Sequence, residues 1–336
     1  MSAPPASVRV FVPTYHRAKL LRRALESVRR QTFSSWVCEV HNDAPDDPSP
    51  TQVVAGLNDP RITCVTHPRN LGGTATFNLF FRPTREPFYA VLEDDNAWAP
   101  DFLARLLAHA ERNPDITIFW CNQRIAREID DGEVEDTGTL VHADKGEPRR
   151  VEWGQHGQIF GALHAQSALL VRSRGTADFA TPGVPIAVIE SFRERLFPHP
   201  MLFIPEPLAD FTVTRRTARS NDPQEWATLQ TMLAATFLTH AGFDRETLKR
   251  LWRTCRAQRP PATNSLLLAA LVEPACRPLR QYAAPLDWLR LAKSLLAHRH
   301  QLRVIRESRQ RHADWWEYLE RATSAQFAAA AGRKVA

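Results

Sequence analysis

Short apolar runs alternate with amphipathic stretches over the first third of the chain. Val8-Arg9-Val10-Phe11-Val12 predicts a strand, broken by Pro13-Thr14-Tyr15-His16-Arg17. Over residues 18–30, Leu20, Leu21, Leu25 and Val28 recur at helical spacing with arginines opposite, which predicts a helix. Trp36-Val37-Cys38-Glu39-Val40 predicts a second strand ending at His41-Asn42-Asp43, and Thr51 caps a short helix that ends at Leu57. Residues 61–66 predict a third strand, His67-Pro68-Arg69-Asn70-Leu71-Gly72-Gly73 a loop, and residues 74–81 a helix. Residues 88–92 predict a fourth strand, residues 100–113 a helix with Phe102, Leu103, Leu106 and Leu107 on one face, and residues 116–122 a fifth strand.

Strands and helices that alternate with short connections predict an α/β fold, a largely parallel sheet with helices on both faces. Such sheets bind ligands beyond the carboxyl ends of their strands. The polar groups that end the predicted strands collect at that edge: Thr14, Tyr15 and Arg17; Asp43; Arg69 and Asn70; Glu93, Asp94 and Asp95.

Beyond the fifth strand the alternation fails. Asp130-Asp131-Gly132-Glu133 predicts a hairpin turn, and residues 137–150 read as polar and irregular. Residues 153–163 carry Gly154, Gly157, Gly161 and Ala162 as points of bending or close approach. Residues 168–171 predict a strand, residues 186–197 a helix with Glu190 and Glu194 four apart, and residues 202–204 and 209–214 two short strands. A basic loop, Arg215-Arg216-Thr217-Ala218-Arg219-Ser220-Asn221, precedes an all-helical pattern: residues 225–239, 245–257, 264–272, 286–299 and 304–331. Gly242, Pro260-Pro261, Pro274, Pro278 and Pro285 punctuate it. The expected organisation is therefore one domain over residues 1–221 and a helical region over 222–336. Arg290, Lys293, Arg299, Arg303, Arg306, Arg309 and Arg311 lie beside Trp288, Leu291, Leu295 and Leu296, either as a solvated face or as a peripheral membrane or homo-oligomer contact.

The densest chemistry is in Tyr89-Ala90-Val91-Leu92-Glu93-Asp94-Asp95-Asn96, a buried-strand pattern that ends in three carboxylates. In a continued strand Glu93 and Asp95 would share one face and Asp94 the other, unless the chain turns. Adjacent anions repel, and a divalent cation with oxygen ligands is a natural neutraliser. An acidic turn leading into the helix at Pro100 is the other reading of the same residues.

Composition narrows the classes. The chain has 336 residues, 43% hydrophobic and 24% charged, as in ordinary globular proteins. The net charge of +6 comes mainly from arginine and suggests anionic ligands or surfaces, though an arginine-rich composition arises as readily from genomic bias, and charge alone does not argue for nucleic-acid binding. Cys38, Cys64, Cys121, Cys255 and Cys276 show no metal-ligand spacing, and an odd count in apolar runs predicts reduced thiols in a cytoplasmic setting. Met1-Ser2-Ala3-Pro4-Pro5 does not start a signal peptide, and no apolar run reaches the length of a membrane span. No Gly-x-Gly-x-x-Gly follows a strand, which argues against a dinucleotide fold.

Val10-Phe11-Val12-Pro13-Thr14-Tyr15-His16-Arg17, then Asp43, then Arg69-Asn70-Leu71-Gly72-Gly73, then Leu92-Glu93-Asp94-Asp95, in this order, resemble family 2 glycosyltransferases of the GT-A fold. The resemblance covers roughly residues 8–214 and implies a Rossmann-like, mostly parallel mixed sheet. It implies an inverting, metal-dependent transfer of a hexosyl-type sugar from a nucleoside diphosphate donor, UDP first and TDP or GDP next, to a hydroxyl of a polysaccharide, glycolipid or secondary metabolite. Asp95 would hold Mn2+ or Mg2+, and Glu93 or Asp94 the ribose or a metal-bound water, with Glu93 in place of the more usual Asp. Asp43 would accept from the base. Pro13, Thr14, Tyr15, Arg17, Arg69, Asn70 and Gly73 would line the nucleotide, and Arg215 and Arg216, with Arg219, the diphosphate.

The family's base lies in a Glu-Asp pair at a helix start. Ile189-Glu190-Ser191-Phe192-Arg193 resembles that segment with Ser191 in place of Asp, so Glu190 is the expected base, with Asp178 and Asp210 as the other candidates. Thr214 stands where the family often has a His that binds the metal. These two departures leave two other functions open, a sugar nucleotidyltransferase and a GT-A-like scaffold without turnover. The first would want a Gly-rich basic loop after the first strand, which Pro13-Thr14-Tyr15-His16-Arg17 is not.

Overall fold

The computed structural model describes residues 7–130, 132–143, 146–173, 178–215, 222–242, 244–257 and 263–335. The N-terminal Met1-Ser2-Ala3-Pro4-Pro5, Asp131, residues 216–221 of the basic loop and Pro260-Pro261 lie outside the described residues. Two compact units divide the chain. One comprises Met1–Glu152, His164–Ile186 and Phe197–Ala218, the other Trp153–Leu163, Ala187–Leu196 and Arg219–Ala336.

The first unit opens with β1 (Val8–Thr14), α1 (Ala18–Arg29), β2 (Trp36–Asn42), α2 (Ser49–Leu57), β3 (Ile62–Thr66), α3 (Gly73–Asn78), β4 (Phe88–Val91) and α4 (Phe102–Arg112). It continues with β5 (Ile118–Asp130), β6 (Glu133–Leu140), β7 (Arg149–Val151), β8 (Leu169–Arg172) and β9 (Met201–Val213). The described strands form one nine-stranded sheet in the order β3-β2-β1-β4-β8-β5-β9-β7, with β6 paired to β5. β3, β2, β1 and β4 are mutually parallel, β8 runs antiparallel to both β4 and β5, and β9 is parallel to β5. This is the mixed, mostly parallel GT-A sheet that the resemblance implied.

β1 pairs with a parallel neighbour along each edge, and side chains cover both its faces. Val8, Val10 and Val12 join Leu21, Leu25 and Val28 of α1 in one buried cluster, and Phe11 on the other face stacks on Phe80 at 4.9 Å. Each such aliphatic side chain contributes about 1.5–3 kcal/mol by leaving water. That anchoring fixes where Thr14, the last residue of β1, projects at the carboxyl edge.

Several boundaries differ from the sequence expectation. α2 starts at Ser49, with Pro50 in its first turn, rather than at Thr51. α3 ends at Asn78, because Leu79 N and Phe80 N bond only three residues back, to Thr76 O and Phe77 O, and the turn tightens. The stretch 137–150 is not irregular throughout. β5 continues to Asp130 and pairs with β6, whose exposed polar side chains carry no apolar period. The strands expected at 202–204 and 209–214 are one strand, β9, which passes Pro205 and Pro207 where its register with β5 shifts. The helix expected over 186–197 is shorter, a 3-10 turn Ile186–Val188 and then α5 (Ile189–Glu194).

The second unit holds α5, then α6 (Pro223–Ala241), α7 (Arg245–Ala257), α8 (Thr263–Val272), a 3-10 segment Pro274–Tyr282, α9 (Pro285–Ala297), α10 (Gln301–Arg311) and α11 (Ala313–Val335). The last expected helix is two, parted at His312. Leu266, Leu267, Leu268, Ala269 and Ala270 of α8 are all buried, so this helix is apolar on every side and lies inside the unit. Among the described residues no helix is long and apolar enough to cross a membrane.

Candidate active site

β1 and β4 are adjacent, and their carboxyl ends bring Thr14 and Arg17 to the acidic residues. Thr14 Oγ1 donates to Asp94 Oδ2 at 2.8 Å. Arg17, at the start of α1, donates from Nη1 to Asp95 Oδ2 at 2.8 Å and to Asp94 Oδ1 at 3.4 Å. β4 has already ended at Val91, and Asn96 N bonds to Glu93 O at 3.0 Å, so 93–96 is a turn. Strand alternation therefore does not apply. Asp94 and Asp95 converge on one guanidinium, and Glu93 is directed elsewhere. Glu93 Oε2 accepts from Ser167 Oγ at 2.9 Å and Asn96 Nδ2 at 3.1 Å.

Burial pushes the carboxyls of Asp94 and Asp95 above the usual carboxylate range, and Asp95's charge adds to the effect on Asp94. Arg17 opposes both shifts and Arg23 that of Asp95, but they do not offset the loss of hydration. The pair offers carboxylate oxygens, the donors that Mg2+ and Mn2+ take, and both carboxyls are held above their usual range, so the residues fit a divalent cation. Among the described residues no group of three or more His, Cys, Asp or Glu is arranged to hold a metal ion. A cation at Asp94 and Asp95 would complete its shell from phosphate oxygens and water.

Beside this pair stand residues that the sequence did not single out. Arg23, further along α1 than Arg17, donates to Asp95 O at 2.9 Å and to Asp210 Oδ2 at 3.0 Å. Arg124 of β5 donates from Nε to Asp210 Oδ1 at 3.0 Å. Each oxygen of Asp210 thus meets its own guanidinium, and both are engaged in holding Arg23 and Arg124. Asn96 Oδ1 accepts Thr212 N at 2.8 Å, tying the acidic turn to β9. Arginines opposite an apolar helix face normally read as solvated, and only the pairing of the first turns of α1 with the acidic turn separates Arg17 and Arg23 from the rest.

A second group of expected residues is Asp43, just after β2, and the loop after β3 that it holds. Asp43 accepts Leu71 N at 2.8 Å, Gly72 N at 2.9 Å and His67 Nδ1 at 2.9 Å, and Asn70 Nδ2 donates to Asp43 O at 3.1 Å. Its carboxylate is thus largely taken up in shaping this loop. Arg69 and Asn70 are exposed on it, as is Tyr15, which is 52% exposed after β1 and meets His16 edge-on. Pro13 is half-buried in β1. Gly73 opens α3, where a Cβ would stand 3.1 Å from Ile186 Cδ1. Arg215 is exposed beyond β9, its backbone N bonded to Glu128 Oε2 at 2.8 Å and its Nη1 3.4 Å from Asp130 Oδ1. Arg216 and Arg219 are outside the described residues.

Asp178 is exposed and 3.3 Å from Arg82. Glu190, half-buried, is in the first turn of α5, in the second unit. The rest of α5 is buried and structural. Glu194 accepts from Gln158 Nε2 at 2.6 Å and Leu163 N at 2.7 Å, and Tyr318 donates to Phe192 O at 3.0 Å. Arg195 donates to Thr323 Oγ1 at 3.0 Å and Leu233 O at 3.1 Å, and burial lowers its pKa to about 10.

Residues 9–159 match the sequence family described as glycosyl transferase family 2. WcaA of Escherichia coli (strain K12), a provisionally assigned colanic acid biosynthesis glycosyl transferase, is 29% identical over 121 residues, 36% of this chain and 43% of that protein. EpsH of Bacillus subtilis (strain 168), a provisionally assigned glycosyltransferase, is 28% identical over 138 residues, 41% of this chain and 38% of that protein. The chain thus spans less than half the length of the curated relatives it matches. Among solved structures, S. aureus TarS 1-349 in complex with UDP aligns over 91% of this chain and 92% of that one, with a TM-score of 0.60 at 15% identity. At that identity the likeness concerns the fold, and it agrees with the sheet described above.

Proposed function

Because the chain belongs, through residues 9–159, to glycosyl transferase family 2 on a GT-A sheet, we propose that it is an inverting glycosyltransferase that uses a nucleoside diphosphate sugar. The observation that carries the reading is the convergence of Thr14, Arg17, Asp94 and Asp95 at the carboxyl edge of β1 and β4. The chemistry asks for that arrangement. The acceptor hydroxyl oxygen attacks the anomeric carbon, the bond to the β-phosphate oxygen breaks, and its electron pair leaves with the nucleoside diphosphate. Negative charge grows on that leaving group, and fixed positive charge beside it lowers the barrier.

In this reading Pro13, Thr14, Tyr15, Arg17 and Gly73, with Arg69 and Asn70 on the loop that Asp43 holds, line the nucleotide. Tyr15 offers an exposed ring for stacking. Asp95, with Asp94 beside it, would hold Mn2+ or Mg2+, whose chemistry when bound is to neutralise diphosphate oxygens. Arg215 and Arg216 are proposed to face the diphosphate. Glu190 is proposed to take the acceptor proton, on the ground of its sequence context. UDP is the first nucleotide to try, since TarS was solved with UDP and with UDP-GlcNAc.

The acceptor class follows the relatives, which include proteins of colanic acid and succinoglycan biosynthesis. We therefore propose a hydroxyl of a growing polysaccharide or glycolipid, assembled in the cytoplasm. The exposed Leu286, Leu289 and Leu296 of α9, with Arg290 and Lys293, would serve a peripheral membrane or homo-oligomer contact. A donor screen by nucleotide release in the presence of Mn2+ tests the reading. Release above the rate of Asp95→Ala with at least one donor supports it, and no release from any UDP-, GDP- or TDP-sugar counts against it.

A further inference from the structure

The exposed side of α9 (Pro285–Ala297) is apolar where a helix face that meets only water is polar. Leu286, Leu289 and Leu296 are 49%, 66% and 71% exposed. With Lys293 they are spaced three, four and three residues apart, so the four share one row along the helix. At 1.5 Å per residue the row is about 15 Å long. The opposite side is already occupied, since Asp287 and Leu291 are buried. Single exposed leucines are ordinary, but three in one row make a patch.

Charge selects what covers the patch. Between Glu273 and Glu307 the chain carries seven Lys and Arg and a single acid, Asp287. Asp287 is fully buried and lies 3.6 Å from both Arg256 and Arg290, so two guanidinium groups already answer it. Lys293, inside the leucine row, and Arg299, just past the helix, are exposed and meet no carboxylate among the described residues. The outer face of α9 is thus apolar and cationic, with no exposed acid of its own. In a two-fold contact between copies this face would meet itself, and the cations of both copies would find no anion on either helix. An anionic lipid surface answers both features. Leucines enter the boundary between headgroups and acyl chains, while the long stems of Arg290 and Lys293 lie along it and carry their charges to the phosphates. A fluid surface also asks for no shape complementarity, which suits a single helical row.

We propose that α9 docks the protein reversibly on an anionic phospholipid surface, with Leu286, Leu289 and Leu296 inserted and Arg290, Lys293 and Arg299 at the lipid phosphates. Of the two contacts named above for α9, this selects the membrane. No nucleotide enters its test, so docking and sugar transfer can fail separately.

Flotation of the full chain with unilamellar vesicles decides it. One set is phosphatidylcholine alone, and the other contains about 30% phosphatidylglycerol. At about 0.1 M salt the partition coefficient should be about tenfold or more higher on the anionic set, and it should fall at about 0.5 M salt. Leu289→Ser with Leu296→Ser leaves the net charge unchanged and should lower partition about tenfold or more. Lys293→Gln should lower it several-fold. Arg112→Gln makes the same charge change at an exposed position of α4 and should partition as wild type. If the leucine variant does not fold, the comparison of Lys293→Gln with Arg112→Gln still decides. Equal partition of the wild type on the two sets, a leucine variant that partitions as wild type, or equal losses for Lys293→Gln and Arg112→Gln overturn the proposal. A lipid-free dimer in sedimentation velocity that the leucine variant dissociates overturns it too, because the row is then a contact between copies. No flotation on either set overturns it in favour of a protein partner.

Discussion

Arg17 Nη1 lies 2.8 Å from Asp95 Oδ2 and 3.4 Å from Asp94 Oδ1, so a single guanidinium answers buried Asp94 and half-buried Asp95 together. Removing it leaves both carboxylates without their ion-pair partner, with Arg23 near Asp95 alone. Arg17→Ala should lower stability by about 1–2 kcal/mol, less than for a fully buried pair because its side chain is 27% exposed. Adding Asp95→Asn to that variant should restore part of the loss, since the remaining acid then stands alone. Melting curves of the wild type, the two single variants and the double variant measure the coupling.

Thr14 Oγ1 is buried and bonded to Asp94 Oδ2. Thr14→Val keeps the shape and removes the donor, which should cost about 1–3 kcal/mol because a buried acceptor is left unmet. Thr14→Ser retains the hydroxyl and should recover most of that cost. Equal melting temperatures for Thr14→Val and wild type would contradict the placement of this bond.

Gly72 has φ +81° and ψ 153°, a backbone region that essentially only glycine uses. Its N–H is also one of the two amides that Asp43 holds. Gly72→Ala should therefore destabilise by about 1–3 kcal/mol. Thermal melting gives the size, and hydrogen exchange at Leu71 and Gly72 shows whether the loop opens first.

The sheet edge was legible in the sequence because β1 to β4 are each a short apolar run followed by polar residues, and buried parallel strands demand that pattern. The later sheet was not legible. β6 pairs through its backbone with exposed polar side chains, and β9 runs through two prolines that argue against a strand. The structure brings Thr14, Arg17, Asp94 and Asp95 together at the sheet edge. Of the two local conformations the sequence left open for Glu93, Asp94 and Asp95, the chain takes the turn, at 93–96, and not the continued strand. Arg23 and Arg124 escaped notice for a different reason. Nothing local distinguishes an arginine that reaches Asp210 from one that faces water, and the partner is 187 or 86 residues away.

The candidates for the base separate by substitution. Glu190→Gln should lower turnover by about 10²–10⁴ with donor affinity little changed, as for loss of a general base. Asp210→Asn strips a charged acceptor from Arg23 and Arg124, so its main effect should be on stability, with a smaller fall in turnover. Steady-state kcat and KM of both variants, read beside their melting temperatures, distinguish the roles. A wild-type kcat for Glu190→Gln would move the search to Asp178 and Asp210.

The central claim is that Asp94 and Asp95, with Thr14 and Arg17, form a nucleoside diphosphate site. Calorimetric titration of UDP, GDP and TDP, with and without Mn2+, tests it most directly on the wild type and on Asp95→Ala. At least one nucleotide should bind the wild type more tightly with Mn2+, and Asp95→Ala should remove that gain while keeping the fold. Binding of none of the three, with or without Mn2+, would contradict the account.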